Sequence, residues 1–192
     1  PVFLIEKEQY LKLMAGADVK TSSNGYLFAY TLNPTKEKAE ALLFSAAHMG
    51  LDIRAAGDAA LEKRETKDIW GIETTYGLSV EEWLVNIAGS DFVITDSFHG
   101  TCFSIIFEKP FIAISNSERG ASRFSSLLGL LGLEERLIQN ETELLEKREL
   151  FTEPINYADV KERLLKLKTH SLNWLKTAIS SASYKSKPLS TY

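Results

Sequence analysis

Seven consecutive residues, Thr95-Asp96-Ser97-Phe98-His99-Gly100-Thr101, set hydroxyls, a carboxylate, an imidazole and a glycine in a row directly after the apolar run Phe92-Val93-Ile94. If that run is a strand and a helix follows it, the segment is a helix start, whose unpaired backbone N–H groups favour an anion. An imidazole there changes protonation near neutral pH, so His99 suits a proton-transfer step as donor or acceptor. Asp96 either orients it or fixes the loop, Ser97 and Thr101 offer hydroxyls to a ligand, and Gly100 admits a close backbone approach. The same residues also suit a structural role, with Asp96 and Ser97 capping the helix and His99 packing on the sheet. Taken alone, the local pattern favours that structural role.

A second such stretch is Ser115-Asn116-Ser117-Glu118-Arg119-Gly120-Ala121-Ser122-Arg123, after the apolar run Phe111-Ile112-Ala113-Ile114. Arg119 and Arg123, four apart, can face one side of a helix, and an arginine fork binds phosphate or carboxylate bidentately. Asn116 adds an amide, and Glu118 is placed to position one arginine. An exposed helix start with surface ion pairs is the plainer alternative. Two adjacent strand-end loops, one with histidine and hydroxyls and one with paired arginines, make a more specific anion pocket than either alone. A third loop, Thr31-Leu32-Asn33-Pro34-Thr35, offers Asn33 or Thr35 but reads first as a turn with a helix cap.

The elements needed to position these loops alternate. Residues 25–31 read as a strand, and Ala39, Leu42, Leu43, Ala46 and Ala47 recur as one helix face between Pro34-Thr35 and Gly50. Residues 51–55 follow as a strand. Residues 56–78 read mostly as loop, with a short strand around 68–72. Ser79 with Glu82 makes a capping box for a helix carrying Val80, Trp83, Leu84, Ile87 and Ala88 and ending near Gly89. The runs at 92–94 and 111–114 read as strands buried on both faces, joined by a helix over 98–107. A helix with Phe124, Leu127, Leu128 and Leu131, a short strand at 136–138, a surface helix at 141–149 and a long helix capped by Asp159 with Glu162 complete the chain. This alternation predicts a Rossmann-like, doubly wound parallel α/β sheet, with ligands bound beyond the strands' carboxyl ends. Residues 1–20 read as a linker or the end of a preceding domain and 21–156 as the α/β domain. Residues 157–179 read as a C-terminal helix and 180–192 as a flexible tail.

Composition narrows the function classes. The 192 residues carry 22 basic and 26 acidic side chains, a net charge of −4, so no overall basic field draws the protein to nucleic acid, and an anionic ligand needs a local cluster. The single cysteine, Cys102, excludes an intramolecular disulfide and multi-cysteine zinc sites, fits a reducing compartment and reads as a buried structural thiol. His48, His99 and His170 lack metal-site spacing, and neither a metal nor a cofactor is expected. Trp70, Trp83 and Trp174 read as packing residues. No segment is apolar enough to span a bilayer and no signal peptide opens the chain, so a cytoplasmic location is expected. The start at Pro1 rather than Met points to a piece of a longer protein.

The segments Asp91-Phe92-Val93-Ile94-Thr95-Asp96-Ser97-Phe98-His99-Gly100-Thr101, Phe103-Ser104-Ile105-Ile106-Phe107 and Lys109-Pro110-Phe111 resemble the polysaccharide pyruvyl transferase family. Arg119-Gly120, Arg123-Phe124, Leu127-Leu128, Leu131-Gly132-Leu133 and Arg136-Leu137 continue the resemblance. It implies a C-terminal, Rossmann-like half of a GT-B type two-domain transferase. Such bacterial enzymes move a pyruvyl group from phosphoenolpyruvate onto two hydroxyls of a saccharide acceptor, forming a ketal during exopolysaccharide, capsule or other cell-surface polysaccharide synthesis. The family histidine matches His99, as acid, base or stabiliser of the departing phosphate. The arginine loop matches Arg119, with Arg123 carried over beside it. The partners implied are phosphoenolpyruvate, the saccharide acceptor and an N-terminal domain; residues 157–179 either dock against that domain or pack on their own. Membrane association would be at most peripheral, through a lipid-linked acceptor. The readings left open beside this one are half of a nucleotide-sugar glycosyltransferase and a non-catalytic ligand-binding module.

Overall fold

The computed structural model describes residues 2–17, 24–58, 71–116 and 120–183. Six parallel strands, β1 (Tyr26–Thr31), β2 (Asp52–Gly57), β3 (Thr74–Tyr76), β4 (Phe92–Thr95), β5 (Phe111–Ile114) and β6 (Leu137–Ile138), form one sheet in the order β3-β2-β1-β4-β5-β6. The described helices are α1 (Lys7–Leu13), α2 (Lys36–Met49), α3 (Val80–Gly89), α4 (Phe98–Ile106), α5 (Ala121–Leu131), α6 (Glu141–Glu146) and α7 (Tyr157–Ser183). This is the doubly wound α/β arrangement expected from the alternation of strand and helix patterns. From β1 the chain goes to β2 on one side and returns to β4 on the other, so the order reverses between β1 and β4, where such sheets open a crevice for ligands.

Why the central strands are apolar throughout follows from where successive side chains point. Val93, Phe111 and Ala113 enter one core layer, with Leu84 and Ile87 of α3, Phe103 of α4 and Phe124 and Leu128 of α5. Their neighbours Phe92, Ile94, Ile112 and Ile114 enter the opposite layer with Leu42 of α2, Leu144 of α6 and Phe151. A period of two in a sheet covered on both sides puts apolar residues on both faces, and the buried Thr95 at the end of β4 is accommodated by donating to Tyr30 O. The helix boundaries have local causes. Thr35 caps α2 by accepting from Lys38 N, and Gly50 ends it at φ 67°. Ser79 and Glu82 form the reciprocal capping box on α3.

Several expected details shift. Leu43 and Ala47 of α2 are exposed, and the buried face instead carries Lys38, Ala41 and Ser45 beside Ala39, Leu42 and Ala46. Ser45 can be buried because its hydroxyl donates to Ala41 O at 2.7 Å. The strand expected around 68–72 is at Thr74–Tyr76; residues 68–70 lie outside the described part, as do Trp70 and residues 184–192 of the tail. The surface helix stops at Glu146, and a 3-10 turn, Arg148–Phe151, follows. Helix α7 begins at Tyr157 and is capped by Asn156, whose Oδ1 accepts from Asp159 N at 3.3 Å, so Asp159 lies inside the first turn and pairs with Arg163.

The stretch read as a linker is packed where it is described. Tyr10 of α1 meets Phe103 edge-on at 4.9 Å between ring centroids, and Lys7 pairs with Glu108 at 2.8 Å. Glu108, at φ 57°, also receives Lys161 of α7 at 2.7 Å, so a strained backbone position is held from two sides. The first half of α7 packs on its own domain through Val160, Leu164 and Leu167, whereas Trp174, Leu175 and Ile179 are exposed.

Candidate functional site

Ser97 accepts from Gly100 N at 3.3 Å and so starts α4 directly at the end of β4, the strand bordering the switch point. This cap turns the next side chain but one, His99, outward, and it is exposed. It faces a cavity of about 460 Å³ shared with Tyr30 at the end of β1, Gly57 and Asp58 at the end of β2, and Ser79 and Trp83 of α3. The amino ends of α3 and α4 both border it, so two positive dipole ends lie at the cavity that holds the imidazole. Trp83 packs edge-on against Tyr30 (5.3 Å) and Phe103 (5.2 Å), forming a rigid apolar wall. Its Nε1 is buried and has no hydrogen-bond partner.

The neighbours of His99 do other work. Asp96, whose side chain is fully buried, accepts from Leu32 N (2.6 Å), Asn33 N (3.1 Å) and Lys38 Nζ (2.9 Å). Of its two expected roles it takes the second, fixing the β1–α2 loop. Gly100 has a packing reason to be glycine: a Cβ there would lie 2.5 Å from Thr95 Oγ1. That hydroxyl is itself held, donating to Tyr30 O at 2.6 Å and accepting from Ser97 N at 3.1 Å. Thr101 is fully buried and donates to Ser97 O at 3.1 Å, so it faces its own helix and not a substrate.

Among the described residues, the two loops do not close around one pocket. Ser115 and Asn116 line a separate cavity of about 400 Å³ on the α2 and α6 side of the sheet, with Asn33, Thr35 and Glu141. Glu118 and Arg119 lie outside the described residues. Arg123 is on α5, its guanidinium 5.1 Å from the centroid of Phe98, the residue beside His99. Gly120, at φ 90°, makes this possible, because a Cβ there would meet Arg123 Nε at 3.0 Å.

Lys38 is the residue that the sequence pattern did not single out. It is 5% exposed and lines the second cavity, donating to Asp96 and, at 2.8 Å, to Asn33 O. One signal was available: a lysine in the first turn of a helix stands against the helix dipole and needs a compensating anion. Cys102 is buried, as expected, and burial pushes its thiol up to about 12. His48 lies between Phe44 and Phe151, with ring centroids at 6.0 and 5.6 Å. No group of three or more His, Cys, Asp or Glu side chains among the described residues could hold a metal ion. No helix among them is long and apolar enough to cross a membrane.

The sequence pattern of polysaccharide pyruvyl transferases matches residues 1–118, well over half of the chain and inclusive of the Asp96 to Thr101 loop. The chain belongs to the polysaccharide pyruvyl transferase family. No curated relative matches it. Among solved structures, the glycotransferase of kitacinnamycin is similar, with a TM-score of 0.49 and 16% sequence identity over 81% of this chain. The chain spans 42% of that structure's length. For this family member, the motif residues at 92–101 thus build β4, the start of α4 and the imidazole-bearing wall of the switch-point cavity.

Proposed function

We propose that the chain is the C-terminal half of a pyruvyl transferase that uses phosphoenolpyruvate, with His99 acting in the reaction. The observation carrying this reading is the exposed imidazole in a cavity where two helix amino ends meet. Phosphoenolpyruvate bears a phosphate and a carboxylate, which such helix ends favour, and Arg123 lies over the ring of Phe98, the residue before His99. Arg119, from the family resemblance, and basic groups of an N-terminal half would supply the remaining cations.

In the reaction, a proton is added to the methylene carbon and the adjacent carbon, now electrophilic, forms a C–O bond with one sugar hydroxyl. The C–O bond to phosphate breaks, and a second hydroxyl closes the ketal. The two hydroxyl protons end on the new methyl group and on the released phosphate. His99 would carry one of them, or hold the departing phosphate as an imidazolium. Surface-polysaccharide synthesis is the setting this chemistry implies.

The test is His99→Ala in the complete parent enzyme, assayed for ketal formation and phosphate release. A loss of about 10²–10⁴-fold in kcat with an unchanged circular dichroism spectrum is expected. Retained turnover refutes the assignment. Calorimetric binding of a nucleoside diphosphate that phosphoenolpyruvate does not displace would instead favour the glycosyltransferase alternative.

A further inference from the structure

Ketal formation moves two hydroxyl protons, and one imidazole does not handle both at once. The attacking hydroxyl loses its proton as the C–O bond forms, while the methylene carbon of the donor gains one, so the reaction calls for a base as well as an acid. The other polar side chains around the His99 cavity narrow the choice of partner. Ser79 and Ser97 serve as helix caps, accepting from Glu82 N and Gly100 N, and a hydroxyl is no base for another hydroxyl. The Tyr30 ring is packed edge-on against Trp83 as part of the apolar wall. That leaves Asp58, a half-buried carboxylate on the cavity wall just beyond the end of β2.

Strand register sets Asp58 against His99. Both β2 and β4 pair with β1, and Ala56 and Thr95 face Tyr30 from either side. At about 4.8 Å between neighbouring strands, the two outer strands stand about 10 Å apart. Asp58 continues β2 two residues past Ala56, and His99 follows four residues past Thr95. A carboxylate and an imidazole therefore flank the crevice across the width of β1, with a small molecule's space between their strands. The carboxylate's base is held from the side, because Tyr76 of β3 covers Gly57 so closely that a Cβ there would lie 2.7 Å from its ring. Resting on the pyruvyl-transfer reading of this site, we propose that Asp58 is a further catalytic residue, the base for the attacking sugar hydroxyl. His99, as imidazolium, gives a proton to the methylene carbon of phosphoenolpyruvate, the first hydroxyl oxygen bonds to the adjacent carbon, and that hydroxyl's proton passes to Asp58. The C–O bond to phosphate then breaks, and the phosphate leaves with the electron pair and takes the proton from Asp58. The second hydroxyl closes the ketal and returns its proton to His99. Both side chains end as they began, with one proton on the new methyl group and one on phosphate.

The test uses the complete parent enzyme with phosphoenolpyruvate and, as acceptors, methyl glucoside, methyl galactoside, methyl mannoside and N-acetylglucosamine, reading ketal and phosphate from about pH 5 to 9. Asp58→Asn, which keeps the shape, should lose about 10²–10⁴-fold in kcat, with KM for phosphoenolpyruvate within about threefold and an unchanged circular dichroism spectrum. The acid limb of the parent's kcat/KM profile should be missing from the activity that remains. Added formate should restore turnover saturably in Asp58→Ala and not in His99→Ala, which separates a proton acceptor from a residue that only shapes the loop. Turnover of Asp58→Asn within about threefold of the parent overturns the inference and leaves His99 standing. So does an effect confined to KM, or a loss of kcat that formate does not restore and the pH profile does not reflect. A parent that makes no ketal from phosphoenolpyruvate with any of these acceptors overturns the His99 reading and this inference with it.

Discussion

Removing one member of the Lys38–Asp96 pair should destabilise the domain more than any single change at the exposed histidine. Both side chains are out of water, at 6% and 0% exposure, and 2.9 Å apart. Asp96→Ala leaves a buried ammonium with Asn33 O as its remaining acceptor and strips the Leu32 and Asn33 N–H groups of theirs. Breaking a buried pair from one side costs about 3–5 kcal/mol. That is a large share of the roughly 5–15 kcal/mol that holds a domain together. In urea, with a slope of about 2 kcal/mol per molar, the midpoint should fall by about 2 M. Lys38→Met strands the carboxylate instead and should cost a similar amount, and the double variant should cost clearly less than the sum of the two. If Asp96 served His99 rather than the β1–α2 loop, Lys38→Met would be nearly silent. A Lys38→Met variant within about 0.5 kcal/mol of the parent, beside a severely destabilised Asp96→Ala, would refute the reasoning.

Two further outcomes follow from the same geometry. Gly100→Ala drives a methyl group to 2.5 Å from Thr95 Oγ1 and should cost about 1–3 kcal/mol in thermal unfolding, with Thr95→Ala restoring part of it by removing the clashing atoms. Burial raises the Cys102 thiol from 9.0 to about 12, so above about pH 9 the unfolded chain loses this proton while the folded one keeps it. Its contribution is complete below that pH and lost as pH rises, at about 1.4 kcal/mol per unit. Denaturant titrations of the parent and Cys102→Ala should diverge with that slope between pH 9 and 11, and parallel curves would count against a buried thiol.

Much of the fold was legible because its signals are local. Unbroken apolar runs marked β4 and β5, a cap and a glycine bounded α2, and the Ser79 and Glu82 pair announced α3. The three-and-four spacing alone did not decide which face of α2 is buried. Residues 42 and 43 are both leucine, and only contact with the sheet and α6 turned Leu42 inward and left Leu43 exposed. The start of α7 at residue 157 was legible but its cap was not, because Asn156 and Asp159 are both competent caps.

The sequence by itself determined that a histidine stands at a strand-to-helix turn in a parallel α/β sheet, because that depends on neighbours within a few residues. Tertiary structure decided what the surrounding residues do. Asp96 is 58 positions from Lys38 along the chain and 2.9 Å from it in space, and no local pattern records such a pairing. Thr101 turned to its own helix, Gly100 gave room to Thr95, and Asn116 lines a different cavity from His99. Adjacent side chains leave a strand on opposite faces, and those two apart leave a helix start in nearly opposite directions, so adjacency in sequence marked the region of the chemistry and the packing of the sheet divided it into two cavities.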